Sequence, residues 1–525
     1  MSLSPRCRLG LLAAPLLAAA CAPFGQGSPD GTAGAVPEAE LRKTDGRWLN
    51  RVLFFGDDAS MQRLQSLGRA RFLDEQLAMP PADPPGLAAA IAVLPVAQQT
   101  AEQRYRALRA EQQRINTLPD EDAKQQARNA LNRAGNDAAQ ETATRHMLRA
   151  LYSPAQLREQ MTWFWMNHFS VYSGKGSVCW TLGDYEDKAV RPRVFGRFGD
   201  LVMATLTAPA MLEFLDNAQS AAGRINENYA RELMELHTLG VSGGPSGSRY
   251  TQQDVQELAR ILTGVGIDAN GQPPRLSPQR QALYLHDGLF EFNPGRHDFG
   301  NKTLLGQRID GAGFAEVEQA VALLVRQPAT ARFISHKLAV YFVADTPPPA
   351  LVDRMAATFQ RSQGDIAAVL RTMFLAPEMQ AALASGTRKF KDPMQYVTSS
   401  MRMAYAERPA ANLRPVTNWL AQLAEPLYGR ITPDGYPMGE AAWASSGQMV
   451  KRFEIARAMG SGQAALYADD AGKPLRAGFP LLTTRSFYDQ IEPTLGAATR
   501  QALSQAASQP EWNTVLLSSP EWMQR

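Results

Sequence analysis

The sequence predicts a mainly α-helical protein, one large irregular helical domain with a small embedded hairpin or sheet near residues 265–310. Three observations predict it. Helix start and stop signals recur along most of the 525 residues, with no alternating strand–helix series and no repeat of 20–50 residues. Hydrophobic residues fall at helical intervals between prolines at 347–349, 377, 393 and 437. Residues 265–310 alone combine Gly and Pro with short aromatic runs such as Leu289-Phe290-Glu291-Phe292.

Composition narrows the function classes. Hydrophobic residues make up 45% and charged residues 20%, as in an ordinary globular protein. Three cysteines exclude a disulfide scaffold and a multi-cysteine zinc cluster. A net charge of +3 supplies no broad electrostatic attraction for nucleic acid.

Residues 1–20 read as an export signal. Arg6 and Arg8 precede the apolar stretch Leu9–Ala20, which falls short of the roughly 20 residues that span a bilayer. Ala18-Ala19-Ala20-Cys21 resembles the bacterial lipoprotein box, which implies acylation of Cys21 and anchoring of the protein to a membrane by several chains. By the same resemblance, Ala22 implies delivery to the outer membrane, on the periplasmic side of the envelope. Removing the leader lowers the net charge from +3 to +1. Cys179 is then the lone internal cysteine, expected to be a small buried hydrophobe. Residues 21–46, small, polar and rich in Gly and Pro, suit a flexible tether.

The helical core is expected over 47–400, with a C-terminal helical region, 401–525, packed on it. Within the core, 97–150 reads as a polar helical hairpin turning near Leu118-Pro119-Asp120, solvated or laid against the body. Ser153-Pro154 suggests the start of a helix through Leu157, Met161, Phe164 and Trp165. A second helix runs from about Asn226 to Leu239, stopped by Gly240. Thr251-Gln-Gln-Asp254 is a capping-box-like start for a third, ended by Gly264.

Several stretches resemble a bacterial family of exported proteins catalogued as domain of unknown function 1800. They include Leu49-Asn50-Arg51 with Phe55-Gly56, Phe72-Leu73-Asp74-Glu75-Gln76-Leu77, and Phe164-Trp165-Met166-Asn167-His168-Phe169-Ser170-Val171. The longest is Asn226-Glu-Asn-Tyr-Ala-Arg-Glu-Leu-Met-Glu-Leu-His-Thr-Leu-Gly240, followed by Tyr250-Thr-Gln-Gln-Asp-Val255 and Ala259-Arg260. His297-Asp298 with Lys302, and His336-Lys337-Leu338, complete the set. The resemblance implies a mostly helical exported protein with no assigned reaction. It also implies a possible exported partner from a sulfatase-like family.

The residues themselves suggest a site. On helix 226–239, steps of about 100° place Asn228, Glu232 and Glu235 on one face beside the core face of Tyr229, Leu233 and Leu236. Carboxylates beside an apolar stripe need a cation or a metal. Glu232, Glu235, His168, His297 and Asp298 are therefore candidate ligands for a divalent or transition metal ion such as Mn, Fe or Zn. His168, Glu232 and Glu235 are the candidate catalytic groups. The competing account is structural: Arg231 bridges Glu235, Glu232 meets Arg260 or Arg224, and side-chain hydrogen bonds of Asp298 hold a turn. On that account the protein is a non-catalytic envelope interaction or accessory protein. His237 is placed opposite Glu235, and His146, His286 and His336 carry little signal.

Overall fold

A computed structural model describes residues 38–241, 250–406, 409–469 and 473–525, with side chains from residue 43 onward. The leader, Cys21 and most of the tether lie outside the described residues. Residues 42–525 form one compact unit, so the core and the C-terminal region are not separate bodies. Among the described residues no single helix is long and apolar enough to cross a membrane.

The centre of this unit is the helix Gln156–His168, buried along its length except at Asn167. Its start differs from expectation. Ser153 ends the preceding helix, and its hydroxyl accepts the Ala155 N–H at 3.1 Å, so helical geometry resumes only at Gln156. Trp165 is fully buried and donates its indole N–H to the Val194 carbonyl at 3.1 Å, satisfying the one polar atom of a large apolar ring.

The polar stretch forms two helices, Ala101–Thr117 and Glu121–Tyr152, separated by Leu118-Pro119-Asp120. Thr100 and Gln103 close a capping box on the first, and Asp120 caps the second. The last third of the second helix leaves solvent. Arg145 and Arg149 reach Asp187, Arg149 also pairs with Asp83, and His146 lies 3.1 Å from Glu186.

The small sheet lies where aromatic residues alternate with turn residues. Strands β1 (Val265–Ile267), β2 (Leu285–Asp287) and β3 (Phe290–Phe292) form an antiparallel sheet in the order β1–β3–β2, with Val265 opposite Phe292. A hairpin of β4 (Lys302–Leu304) and β5 (Gln307–Ile309) follows. Helices Phe314–Val325, Pro328–Phe342, Pro349–Arg361 and Ile366–Phe374 follow, and Tyr341 of the second packs its ring against Phe164 of the central helix. Pro349, Pro377 and Pro393 each sit at a helix start, where the missing N–H is not needed. The C-terminal helices Ser446–Gly460 and Gln509–Ser518 pack on each other, and Arg525 sends its guanidinium inward to Gln160 Oε1 at 3.0 Å.

Candidate functional site

The helix after Asn226 begins as the sequence indicates. The Asn226 side chain accepts the Asn228 and Tyr229 N–H groups, and Gly240 closes the segment at φ +85°. Its interior is different. Only Glu227–Glu232 is α-helical; Leu233–Thr238 is a π turn, in which Leu239 donates to the Met234 carbonyl at 2.7 Å. Steps of 100° therefore fail beyond Glu232, and a residue assigned to the far side comes into play. π turns of this kind recur at functional sites.

That residue is His237. Its carbonyl accepts a hydrogen bond from Nε2 of His168 at 3.1 Å. A carbonyl can only accept, so the Nε2 of His168 carries the proton and Nδ1 is left as an acceptor. The ammonium of Lys337, from the helix Pro328–Phe342, lies 2.9 Å from that Nδ1. Both nitrogens of His168 are thus engaged. Phe164, Trp165 and Phe169 surround the ring, which is 2% exposed. This burial, then the Lys337 charge, keeps the imidazole neutral by pushing its pKa well below the usual histidine value. Burial also lowers His237 to about 3. Among the described residues its Nε2 has no hydrogen-bond partner.

Lys337 forms no ion pair among the described residues. Burial of its ammonium lowers the pKa to about 8, opposed by attraction to Asp434. Asp434 owes its place to a tight packing contact. Asn167 donates its side-chain amide to the Tyr436 carbonyl at 2.9 Å and accepts the Tyr436 N–H at 2.6 Å. Gly435, between them at φ +76°, comes so close to the Asn167 carbonyl that a Cβ would stand 2.1 Å from the oxygen. Asp434 itself accepts Arg430 at 2.8 Å and the Thr432 hydroxyl at 2.5 Å. Burial opposes its ionisation, but these hydrogen bonds outweigh it and lower its pKa.

Glu232 and Glu235 complete this acidic edge. Arg231 answers Glu235 at 3.7 Å, the i,i+4 pair expected from the sequence. Glu232 has no ion pair among the described residues and meets neither Arg260 nor Arg224. Burial, then repulsion from Glu235, raises its pKa, and Asp434 adds to the effect. The Tyr250 hydroxyl donates to the Val241 carbonyl at 3.1 Å, and its pKa is raised, first by burial and then by Glu235.

A family model matches residues 47–524, a span that contains every one of these groups. The chain belongs to DUF1800, a family of proteins of unknown function. No curated protein and no solved structure matches the chain. The functional reading of this DUF1800 member therefore rests on its own side chains.

The remaining candidates sit in a separate cluster. His297 is buried at 3%, with Nδ1 2.8 Å from the Thr263 carbonyl and Nε2 2.8 Å from Glu316. Lys302, 1% exposed, reaches the other Glu316 oxygen at 2.5 Å and also donates to the Asp298 carbonyl. Asp298 accepts Arg260 at 2.8 Å and the Gly300 N–H at 2.8 Å, holding the turn by the route expected of its structural role. Burial opposes the ionisation of Glu316, but hydrogen bonds from His297 and Lys302 outweigh it and lower its pKa.

The five sequence-derived candidates are thus divided. His168, Glu232 and Glu235 belong to the region around Lys337, while His297 and Asp298 belong to the Glu316 cluster. Among the described residues, no group of three or more His, Cys, Asp or Glu side chains could hold a metal ion. The hydrogen bonds of His168 and His297 explain why neither offers a free lone pair in this arrangement. Lys337 and Asp434 were missed because each is an ordinary charged residue until the fold brings it to its partners. Uniform helical steps place His237 opposite Glu235, away from the site, and nothing local marks Glu316 and Glu186 as partners of histidines. Cys179 is partly exposed rather than buried, and burial of its thiol raises the pKa to about 11, away from nucleophilic use.

Proposed function

We propose that the protein is a cell-envelope enzyme, exported and lipid-anchored through Cys21, whose reaction uses Lys337 as a general base or amine nucleophile. One observation carries this reading. A lysine ammonium held 2.9 Å from a neutral histidine, with no carboxylate in ion-pair reach among the described residues, is prepared to lose its proton near neutral pH. His168 is a positioning group in this scheme. Its Nε2–H is tied to the His237 carbonyl, so Nδ1 holds the amine in place. Glu232, Glu235 and Asp434 supply negative charge at the same edge, which suits a substrate bearing a cationic or hydroxyl-rich group.

The test begins with acylation of the full chain across pH 6–11, followed by peptide mass spectrometry. Half-maximal labelling of Lys337 near pH 8 is expected, about two units below the surface lysines. Labelling at the ordinary lysine pKa would end this reading. Envelope-derived esters, amides and glycans are then assayed with the parent, Lys337→Met and His168→Phe. Turnover lost in both folded variants supports the enzyme, whereas turnover retained in Lys337→Met removes Lys337 from the reaction.

A second reading, a non-catalytic accessory protein of the envelope, is favoured by the arginines that answer Glu235 and Asp298. On it, the polar motifs are staples and a sulfatase-like exported protein is the partner. Capture of that partner with equal strength by parent and Lys337→Met, without turnover by either, favours this second reading.

A further inference from the structure

A small cavity of about 70 Å³ lies between the first helix, the 386–391 segment and the last residues of the chain. Arg47, Arg388, Lys391 and Arg525 line it, with Trp522 and a single acidic side chain, Glu521. The backbone that presents Lys391 is rigidly paired. Lys391 donates its N–H to the Met523 carbonyl at 2.8 Å, Arg525 donates to the Lys389 carbonyl at 2.9 Å, and Phe390 bridges Gln524 in antiparallel register.

Lys391 lacks a counter-ion there. It is 5% exposed, and its ammonium makes no hydrogen bond or ion pair among the described residues. The ammonium instead stands over the Trp522 ring, 3.7 Å from its centroid. The neighbouring acids are committed elsewhere. Glu521 accepts the Gly496 N–H and the Thr499 hydroxyl, both at 2.8 Å, and Asp345 is taken by Lys389. Asp392 caps the next helix by accepting the Gln395 N–H at 2.7 Å. A charged group is rarely buried without a partner, because taking it out of water is costly. A cavity beside it, walled by further cations, is where the missing partner belongs.

We propose that this cavity is a binding site for a tetrahedral oxyanion, a sulfate or phosphate group, with Lys391 as its central ligand. A volume of about 70 Å³ suits a free ion or the terminal group of a monoester. It does not suit a diester, which must carry a chain on both sides. Binding takes up a proton at Lys391, because burial, followed by repulsion from Arg452 and Arg525, lowers its pKa well below the usual lysine value in the empty site. Arg47 and Arg388 are the other cations that line the cavity, and Glu521 and Asp392 are the neighbouring acids.

The experiment is calorimetric titration of the full chain with sodium sulfate, whose charge is constant over pH 6–9, beside Lys391→Met and Glu521→Gln. Sulfate binding by the parent is expected to weaken as pH rises. It should be at least tenfold weaker in Lys391→Met, and severalfold tighter in Glu521→Gln. Melting temperatures with and without sulfate provide a check independent of heat. Sulfate stabilises most proteins in a general way, so only a shift in excess of that of Lys391→Met counts. Equal affinity in parent and Lys391→Met, or binding of neither sulfate nor phosphate by the parent, overturns the site. Inorganic phosphate and methyl phosphate distinguish a free ion from a monoester, and binding of either supports the site. Binding to phosphatidylglycerol vesicles without binding of free sulfate or phosphate overturns it, since a diester read at the surface needs no such cavity.

Discussion

Two regions of this protein use the same residue types to opposite ends. Around Glu316, a histidine, a lysine and a carboxylate are matched: Lys302 lies 2.5 Å and His297 2.8 Å from its two oxygens. Around Lys337, a lysine meets a neutral histidine at 2.9 Å, while Glu232, Glu235 and Asp434 stay outside ion-pair reach. In the first arrangement, hydrogen bonds from His297 and Lys302 stabilise the charged carboxylate of Glu316 against its burial. The second leaves a lysine that gives up its proton more easily and a glutamate that holds its proton more tightly. The difference lies in pairing distance, since burial acts on both. Charges left over mark a candidate for chemistry, whereas matched charges are the pattern of a structural staple.

Removing the central carboxylate of the matched region tests the contrast most severely. Glu316→Ala leaves Lys302 and His297 buried without their partner and is expected to cost about 3–5 kcal/mol in denaturant unfolding. A loss below about 1 kcal/mol would mean that the cluster is not a staple. The sign of its pH dependence follows from the lowered pKa of Glu316. Its stabilisation is present above the unfolded carboxyl value near about 4.3 and is lost as pH falls through the folded value.

Next in size is Gly435→Ala, which combines a left-handed backbone with a close approach to Asn167 and should cost about 1–3 kcal/mol. If this loop positions Asp434 against Lys337, the same variant lowers the Lys337 pKa further in the labelling measurement. An unchanged pKa would separate the loop from the site.

Lys337→Met is expected to act in the opposite direction, raising stability at pH 7 by about 1 kcal/mol after allowance for partial exposure. The folded pKa near 8 lies below the unfolded value of 10.5, so the unfolded chain binds more protons between them. Stability of the parent therefore rises with pH over roughly 8 to 10.5, and that slope disappears in Lys337→Met. A parent that loses stability across this window would contradict the unmatched lysine.

The smallest effect belongs to Glu232→Gln. Its carboxyl is raised by burial and by Glu235, so an uncharged isostere is expected to stabilise by up to about 0.5 kcal/mol at pH 7 and to be neutral near pH 4. Destabilisation at pH 7 would reveal a cation that pairs with Glu232.

Much of the fold was legible because its signals are local. Thr251 and Asp254 close their capping box, Gly240 and Gly264 take the positive φ that stops a helix, and the aromatic run at 289–292 supplies a strand of the small sheet. Ser153-Pro154 misled because a cap residue can end one helix as readily as start the next. Half of the candidate site was legible as well. His168, Glu232 and Glu235 stood out as polar groups beside apolar faces, a local contradiction visible in one dimension.

The sequence by itself determined which segments are helical, where they stop, and which polar residues conflict with their apolar surroundings. Each of those properties depends on residues a few positions apart. Only the tertiary structure decided how each conflict is resolved. It joined His168 to Lys337 across 169 positions, turned the His237 carbonyl inward through a π turn, and gave His297 to Glu316 instead of to a shared site. Whether a buried charge is a staple or a reactive group depends on which partner lies within about 3 Å, and that distance is set by packing between segments remote in the chain.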